Sequence, residues 1–284
     1  GLQYTVTDFP SWISASYRAP STIKFMTNLP TDPTTGQRQV KVSSSDSYCL
    51  YFFNTSTNYA KDCQVSFYTS AGVFISASTV VNAYNSVSTY DTRFLRVPCG
   101  PSNLASAGIS IPATASYYLF GLRDNSGIVS SEIVRFTIDN TCSKAPFNYR
   151  FIFLNRQGAF DAFTFYGQYE RTVDTKKDYY KNIGGTWTGN QFFYWFTNRA
   201  QRQYNTIGQD SFKCWSGWIT QDQSDWLADL MDSPEVYVIY PSTPYVVPVN
   251  ITNTSYQYKT TSKDQLFNLE LTFQPTFTKV RQQF

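Results

Sequence analysis

The sequence predicts an all-β, mostly antiparallel protein, in which an N-terminal immunoglobulin-like β-sandwich precedes a β-sheet or barrel domain carrying one α-helix. Aromatic residues make up 18% of the 284 residues, and aromatic and β-branched side chains favour strands. Short apolar runs recur between clusters of Gly, Pro, Asn and Asp, which is typical of strands joined by turns. Only one segment has the pattern of an amphipathic helix. The length fits two domains.

The first predicted domain covers residues 1–143 and includes an extended N-terminal segment. Residues 48–53 and 64–68 are predicted strands because aromatic and β-branched side chains dominate them. Residues 28–33 are a predicted loop, since their two prolines cannot join a central ladder.

The clearest hairpin pairs residues 117–122 with residues 128–138. The connecting residues 123–127 contain Asp, Asn and Gly, which tolerate the backbone angles of tight turns. The second strand alternates, with Val134, Phe136 and Ile138 on one face and Arg135, Thr137 and Asp139 on the other. Short strands at this spacing predict a small antiparallel sandwich of the immunoglobulin or fibronectin type.

The second predicted domain covers residues 144–284, after a boundary at residues 142–146. Its predicted strands are residues 147–154, 160–166, 235–240, 245–251 and 266–273. Turns are predicted at residues 156–158, 184–185 and 188–190 from their glycines. An aromatic run at residues 192–196 follows the last of these turns.

The helix is predicted over residues 221–231. Thr220 and Gln223 have the spacing of a capping box, and the proline at position 234 marks the end of the helix. An apolar stripe is expected from Ile219, Gln223, Trp226, Leu227, Leu230 and Met231.

The composition excludes several kinds of chemistry. The chain has no histidine, which removes the usual catalytic triads and most zinc sites, and it has no phosphate-binding glycine loop. A net charge of +3 does not suggest a nucleic-acid partner, and no apolar run is long enough to span a membrane. We therefore expect neither catalysis nor a cofactor nor a metal site.

Two carboxylate pairs are the remaining candidates for glycoside hydrolysis, which needs two carboxylates facing a cleft. Asp225 and Asp229 are one helical turn apart, and we interpret them as the polar face of the helix. Asp161 and Glu170 flank a predicted hairpin around Gly167 and could meet across it.

The five cysteines form no CxxC pair, which excludes zinc ribbons and thioredoxin-like sites. The favoured interpretation is that they are buried in a reduced protein; one or two disulfides in the first half are the alternative.

The segment from residue 187 to residue 218 supplies the candidate contact residues. These are Trp187, Phe193, Trp195, Trp215 and Trp218. Aromatic residues on both faces of a strand favour burial in the core or at a subunit contact. A platform that stacks against sugars is the alternative.

The second half and the preceding hairpin resemble β-rich virion and tail-associated structural proteins of phages that infect Bacteroidota. The resemblance covers roughly residues 115 to 275. It lies in residues 151–165 (FIFLNRQGAFDAFTF), 170–173 (ERTV), 216–220 (SGWIT), 233–237 (SPEVY), 248–252 (PVNIT) and 266–268 (LFN). It implies a structural part of a phage particle and brings no catalytic residues.

The expected function is therefore a structural component of a virion, in the tail, baseplate or a vertex spike. Its expected partners are other virion proteins and further copies of itself. One alternative is a receptor- or glycan-binding module for host attachment, on the virion, on a bacterial surface or secreted. The other is a carboxylate-based glycoside hydrolase.

Overall fold

The computed structural model describes residues 22–54, 60, 62–81, 93–124, 126–139, 148–195, 197, 200–239, 245–253, 266–277 and 279–281. Strands dominate these residues, almost all strand pairs are antiparallel, and two α-helices accompany them. The predicted all-β class is confirmed.

The first part of the chain forms two sheets. Its strands are β1 (Arg38–Val42), β2 (Cys49–Asn54), β3 (Asp62–Tyr68), β4 (Phe74–Val81), β5 (Arg93–Pro98), β6 (Tyr117–Arg123) and β7 (Val134–Ile138). One sheet has the order β1-β7-β6-β3-β4, with β1 parallel to β7, and the other pairs β2 with β5. A short helix that the sequence did not reveal, α1 (Pro101–Ser106), follows β5, and its six residues are too few to show a periodic pattern.

These two sheets face each other across aromatic side chains. The ring of Phe25 lies 6.3 Å from that of Phe52 in the small sheet and 6.3 Å from that of Phe120 in the large one. The Tyr118 hydroxyl crosses the same space and donates to the Cys99 carbonyl at 2.8 Å. The arrangement is a β-sandwich, and its assignment to the immunoglobulin type stays a prediction.

The second strand of the predicted hairpin is shorter than expected, because it begins at Val134 and not at residue 128. The Asp124 carboxylate accepts from the N–H groups of Ser126 and Ile128, which turns the chain tightly. Residues 128–130 still pair with the end of β6, since Asp124 N–H donates to the Ile128 carbonyl and Ser130 N–H to the Leu122 carbonyl. The ladder is interrupted at residues 131–133, where the Leu122 N–H donates to the Ser131 hydroxyl.

The second part contains the remaining elements. They are β8 (Tyr149–Leu154), β9 (Phe160–Phe165), β10 (Tyr169–Lys181), β11 (Gly185–Thr188), β12 (Gln191–Tyr194), β13 (Gln201–Thr220), α2 (Gln221–Asp232), β14 (Val236–Ile239), β15 (Val246–Ile251), β16 (Leu266–Pro275) and β17 (Lys279–Arg281). The five predicted strands therefore form, with bounds shifted by a few residues.

The main sheet of this part closes into a barrel. Its order is β10-β13-β16-β15-β14-β8-β9, and β9 leads through Tyr166 and Gly167 directly into β10. The Gly167 N–H donates to the Trp215 carbonyl in β13 at 2.9 Å, so the connection between the two end strands of the sheet lies against β13. The interior is aromatic, with the Phe273 ring 5.0 Å from Phe151 and 5.2 Å from Phe212.

Helix α2 packs on this barrel, and its predicted start is confirmed. The Thr220 hydroxyl accepts from the Gln223 N–H, while the Gln223 side chain accepts from the Thr220 N–H. The Trp226 ring lies 5.8 Å from Phe153 and 5.9 Å from Phe163, so the helix covers aromatic side chains of β8 and β9.

The sandwich and the barrel share a buried polar interface. The Arg150 guanidinium of β8 donates to Asp46 at 2.9 Å, to the Ser47 carbonyl at 2.6 Å and to Thr164 at 2.8 Å. The predicted domain boundary after residue 143 falls among residues 140–147, which lie outside the described residues.

Candidate functional site, an exposed β arm with an aromatic tip

Strands β10 and β13 continue beyond the barrel as a long antiparallel ribbon. The pairing runs from Tyr169 opposite Cys214 to Lys181 opposite Gln201, whereas β13 pairs with β16 only from Phe212 onward. We call residues 171–181 and 201–211 the arm. At ~3.4 Å per residue it extends over 30 Å from the barrel.

Polar and charged pairs hold the two strands of the arm together. The Arg171 Nε atom donates to Asp210 Oδ1 at 3.3 Å and its Nη2 atom donates to Oδ2 at 3.1 Å, a bidentate contact. Further out, the Asn205 amide donates to Asp178 at 3.0 Å. Strand β17 adds a third strand over a short stretch of β13.

A small hairpin, which we call the tip, ends the arm and covers residues 183–195. Strands β11 and β12 pair with Trp187 opposite Phe192 and Gly185 opposite Tyr194. Gly189 has φ 63° at the first position of the two-residue turn, which suits a type II′ turn. A Cβ atom on Gly185 would lie 2.4 Å from the Phe192 ring, so glycine lets this ring lie against the backbone.

Large apolar side chains cover both the arm and the tip and are exposed. Among the described residues they are Val173, Tyr179, Tyr180, Ile183, Trp187, Phe192, Phe193, Tyr194, Trp195 and Tyr204. An isolated two-stranded ribbon is only marginally stable in water, and contiguous exposed apolar surface usually marks an interaction site. The arm therefore has the properties of a surface that binds a partner.

Three of the five predicted contact residues come together in the tip. Trp187, Phe193 and Trp195 are all exposed, with 66% and 67% of the two tryptophans accessible. Of the two expected locations of the aromatic run, the core is therefore wrong for its described residues, and burial at a subunit contact stays a prediction. The reason is topological, because among the described strands β12 pairs only with β11, in a two-stranded sheet of their own.

The other two predicted residues lie elsewhere, on β13 at the barrel. Trp215 is half-buried, with the Lys213 ammonium 5.2 Å from its ring centre. Trp218 is 74% exposed and follows Gly217, whose φ of 76° accompanies a bulge in the pairing of β13 with β16. Neither belongs to the tip.

Sequence reasoning missed the aromatic residues of the arm itself. Tyr179 and Tyr180 are exposed on β10, and the Tyr180 ring lies 6.2 Å from that of Tyr204 on β13. The available signal is the placement of two tyrosines in the charged segment of residues 171–181, whose charges otherwise indicate a solvated strand or loop.

The carboxylates Asp161 and Glu170 do not form a pair, so that expectation is wrong. Asp161 is buried on β9, with 2% of its surface exposed. Glu170 is exposed on β10, opposite Lys213 in β13. The intervening residues continue one strand direction and do not form a hairpin, because Gly167 bonds to β13.

Asp161 instead accepts four hydrogen bonds within the protein. Its Oδ1 atom accepts from Thr27 at 2.7 Å and from Tyr48 at 3.4 Å. Its Oδ2 atom accepts from Asn155 at 3.0 Å and from the Trp226 indole at 3.1 Å. Burial raises the pKa of the Asp161 carboxyl above its usual value, while the hydrogen bonds act in the opposite direction.

The two helical carboxylates, Asp225 and Asp229, do not both lie on an exposed polar face of α2 as expected. Asp225 is exposed, but Asp229 is buried and forms an ion pair with Arg156 at 3.0 Å. The Asn28 amide also donates to Asp229 at 2.8 Å. Asp229 therefore fastens the helix to the segment that precedes β1.

The described cysteines match the favoured interpretation of reduced thiols. Cys63, Cys99 and Cys214 are buried, and Cys49 is half-buried; none of these four forms a disulfide. Burial raises the pKa of the Cys99 and Cys214 thiols, which suppresses the reactive thiolate. Cys142 lies outside the described residues.

Comparison with known proteins yields no relative: no family model, no curated protein and no solved structure matches this chain. Within the described ranges, no group of acidic, cysteine or histidine side chains could hold a metal ion. Helices long and apolar enough to cross a membrane are likewise absent from the described part of the chain.

Proposed function

We propose that this protein is a structural subunit of a bacteriophage virion, in the tail, baseplate or a vertex spike, and that its tip binds a neighbouring protein of the particle. The exposure of the tip aromatics carries the proposal. Tyr, Trp and Phe concentrate in the cores of protein interfaces, where a few of them supply most of the binding free energy. The resemblance of the second half to phage structural proteins supports the choice of particle.

The arm fits this role because it carries the tip far from the folded body. Within the tip the Trp187 and Phe192 rings contact each other, with their centres 5.3 Å apart. A rigid, pre-formed aromatic surface loses little conformational entropy when it docks. The sandwich and the barrel then act as the platform that positions the contact.

Truncation of the two tip tryptophans tests the proposal. We expect the double variant Trp187→Ala, Trp195→Ala to enter assembled particles at less than about a tenth of the wild-type level, since a central interface Trp contributes about 2 kcal/mol or more. The measurement is the quantity of the chain in purified particles. Thermal unfolding should stay within a few degrees of wild type, because neither ring is in the core.

Trp218→Ala is the matched control, because this tryptophan is as exposed as the tip residues but lies on the barrel. It should enter particles normally. Equal incorporation of the double variant and the wild type would contradict the assignment of the tip. A wild-type chain that is absent from purified particles would contradict the virion role itself.

Host attachment is the second candidate function, and the flat exposed rings of Trp187 and Trp195 favour it. Aromatic faces stack against the apolar faces of sugar rings. In that case the isolated protein would bind host-surface glycans on an array, and each single Trp→Ala change would abolish the signal. An assembly subunit predicts no glycan signal from the isolated chain.

A further inference from the structure

We infer that the outer edge of β10 pairs with the same edge of a second copy of this chain, antiparallel and with Thr175 of one copy opposite Thr175 of the other. The two arms would then form one continuous sheet. This inference deepens the proposed assembly role by naming a partner and a register for the arm, while the tip stays available for a different neighbour.

Within the described part of the chain, the outer edge of β10 has unpaired backbone groups along most of the arm. Among the described strands, β10 pairs with β13 alone. The Trp215 N–H donates to the Gln168 carbonyl, and backbone direction alternates along a strand. The N–H and C=O groups of Arg171, Val173, Thr175 and Lys177 therefore point away from β13.

Such an edge is a template for another strand, and proteins usually protect it with charges. Here the charges are of both signs, with Asp174 and Asp178 beside Lys176 and Lys177. They face solvent along β10, except for the half-buried Asp178. Whether they block or select a partner depends on the register in which a second strand approaches.

A two-fold axis centred on Thr175 gives attractive pairs. Residues directly opposite each other then have numbers that sum to 350, so Asp174 of each copy faces Lys176 of the other. Val173 faces Lys177, and Thr172 faces Asp178. Opposite charges on facing residues stabilise a sheet, and no like charges face each other in this register.

The neighbouring symmetric registers are repulsive. Centring on Asp174 would oppose Asp174 to itself and Arg171 to Lys177. Centring on Lys176 would oppose Lys176 to itself and Asp174 to Asp178. Like charges directly opposite each other destabilise a pair of strands, so the same residues that favour one register exclude the adjacent two.

Self-complementarity is the reason for choosing a second copy over another protein. A foreign strand would need the opposite charge order, whereas β10 supplies it to itself by rotation. The pairing would span residues 172–178, because a register shift between Asp178 and Tyr179 ends the regular ladder. Seven residues correspond to about 24 Å of new sheet.

Cysteine cross-linking tests the register. Thr175→Cys places the two new thiols at the two-fold axis, where Cα atoms about 5.5 Å apart allow a disulfide. We expect covalent dimers on mild oxidation, well above the background of the wild type with its native cysteines. Lys177→Cys is the control on the same edge, because the pairing separates its two copies by four residues along the strand.

Equal cross-linking of both variants would contradict the antiparallel register, and cross-linking of neither would contradict the edge contact. A charge exchange provides the second test. Asp174→Lys should weaken the dimer at least tenfold in sedimentation experiments at low salt, and the double variant Asp174→Lys, Lys176→Asp should restore it.

The β10 pairing can be wrong while the proposed assembly role is right, and the experiments distinguish the two cases. A wild-type chain that stays monomeric at about 0.1 mM and gives no cross-link, yet enters particles through the tip, would overturn only the β10 pairing. A dimer that survives Asp174→Lys unchanged, or that Trp187→Ala abolishes, would also overturn it.

Discussion

Asp161 shows how one side chain connects distant segments of the chain. Its two oxygens accept from Thr27 before β1, from Asn155 after β8 and from Trp226 in α2, so three elements converge on one buried carboxylate. Both oxygens of the Asp161 carboxylate therefore accept hydrogen bonds. A buried acceptor of this kind fixes geometry because each donor would be unsatisfied without it.

Replacement of this carboxylate should therefore be costly. We expect Asp161→Asn to lower the free energy of unfolding by about 1–3 kcal/mol, because an amide replaces one acceptor oxygen with a donor. Urea denaturation measures the change. Asp225→Asn on the exposed side of α2 is the control and should stay within about 0.5 kcal/mol of wild type.

The comparison of wild type with Asp161→Asn also predicts how stability depends on pH. Because the pKa of Asp161 is raised in the folded protein, the folded state binds the proton more tightly than the unfolded state does. The contribution of Asp161 to stability is thus fully present below about pH 4 and decreases as pH rises through the folded pKa. The stability difference between wild type and Asp161→Asn should shrink over that range; a difference that grows would show that the hydrogen bonds outweigh burial.

At the scale of elements, the closure of the barrel depends on a close approach at Gly167. A Cβ atom there would lie 2.5 Å from the Trp215 carbonyl oxygen and 2.9 Å from the Trp215 Cβ. Both atoms belong to or adjoin the backbone of β13 and cannot rotate away. A glycine is required where β9 passes into β10 against this strand.

We accordingly expect Gly167→Ala to lower the free energy of unfolding by about 2–3 kcal/mol, the usual cost of forcing atoms into a packed site. Chemical denaturation gives the value. Gln168→Ala, whose exposed side chain adjoins the same hydrogen bonds, should change stability little. Equal stability of both variants would show that the sheet does not need this contact.

The arm illustrates why element bounds were harder to predict than element types. Residues 171–181 carry charges without a clear alternation, so their sequence is compatible with a loop or a strand. They form a strand because β13 supplies the partner for their backbone groups. Pairing over such a distance in sequence leaves no local pattern.

At the scale of the whole molecule, the sandwich and the barrel are joined by a buried ion pair within a continuous apolar cluster. Arg150 and Asp46 are both nearly inaccessible, and their contact is 2.9 Å. We expect the two parts to unfold together. Removal of one partner of a buried pair leaves a charge without compensation.

Arg150→Met should lower the free energy of unfolding by about 3–5 kcal/mol and separate the single calorimetric transition into two, because Asp46 stays buried and the interface is weakened. Lys41→Met, which breaks the exposed pair with Asp139, should cost less than about 1 kcal/mol. A single transition with unchanged midpoint in Arg150→Met would show that apolar packing alone couples the two parts.

The sequence by itself determined the features that depend on neighbouring residues. The all-β class, the capping box at Thr220 and five strands of the barrel follow from propensity, alternation and turn chemistry, which act within a few residues. The burial of two positions could not be predicted from neighbouring residues. Asp161 and Asp229 look like ordinary polar residues in sequence and are buried in the structure.

Tertiary structure alone decided which aromatic residues are inside. Phe151 and Phe153 lie in the barrel, whereas Phe192 and Phe193 are exposed in the tip, although both segments are aromatic strands. Burial depends on whether another sheet covers a strand, and that is set by pairings between residues far apart in the chain. The sequence named three of the tip residues, and the fold showed that all three are exposed in one small hairpin.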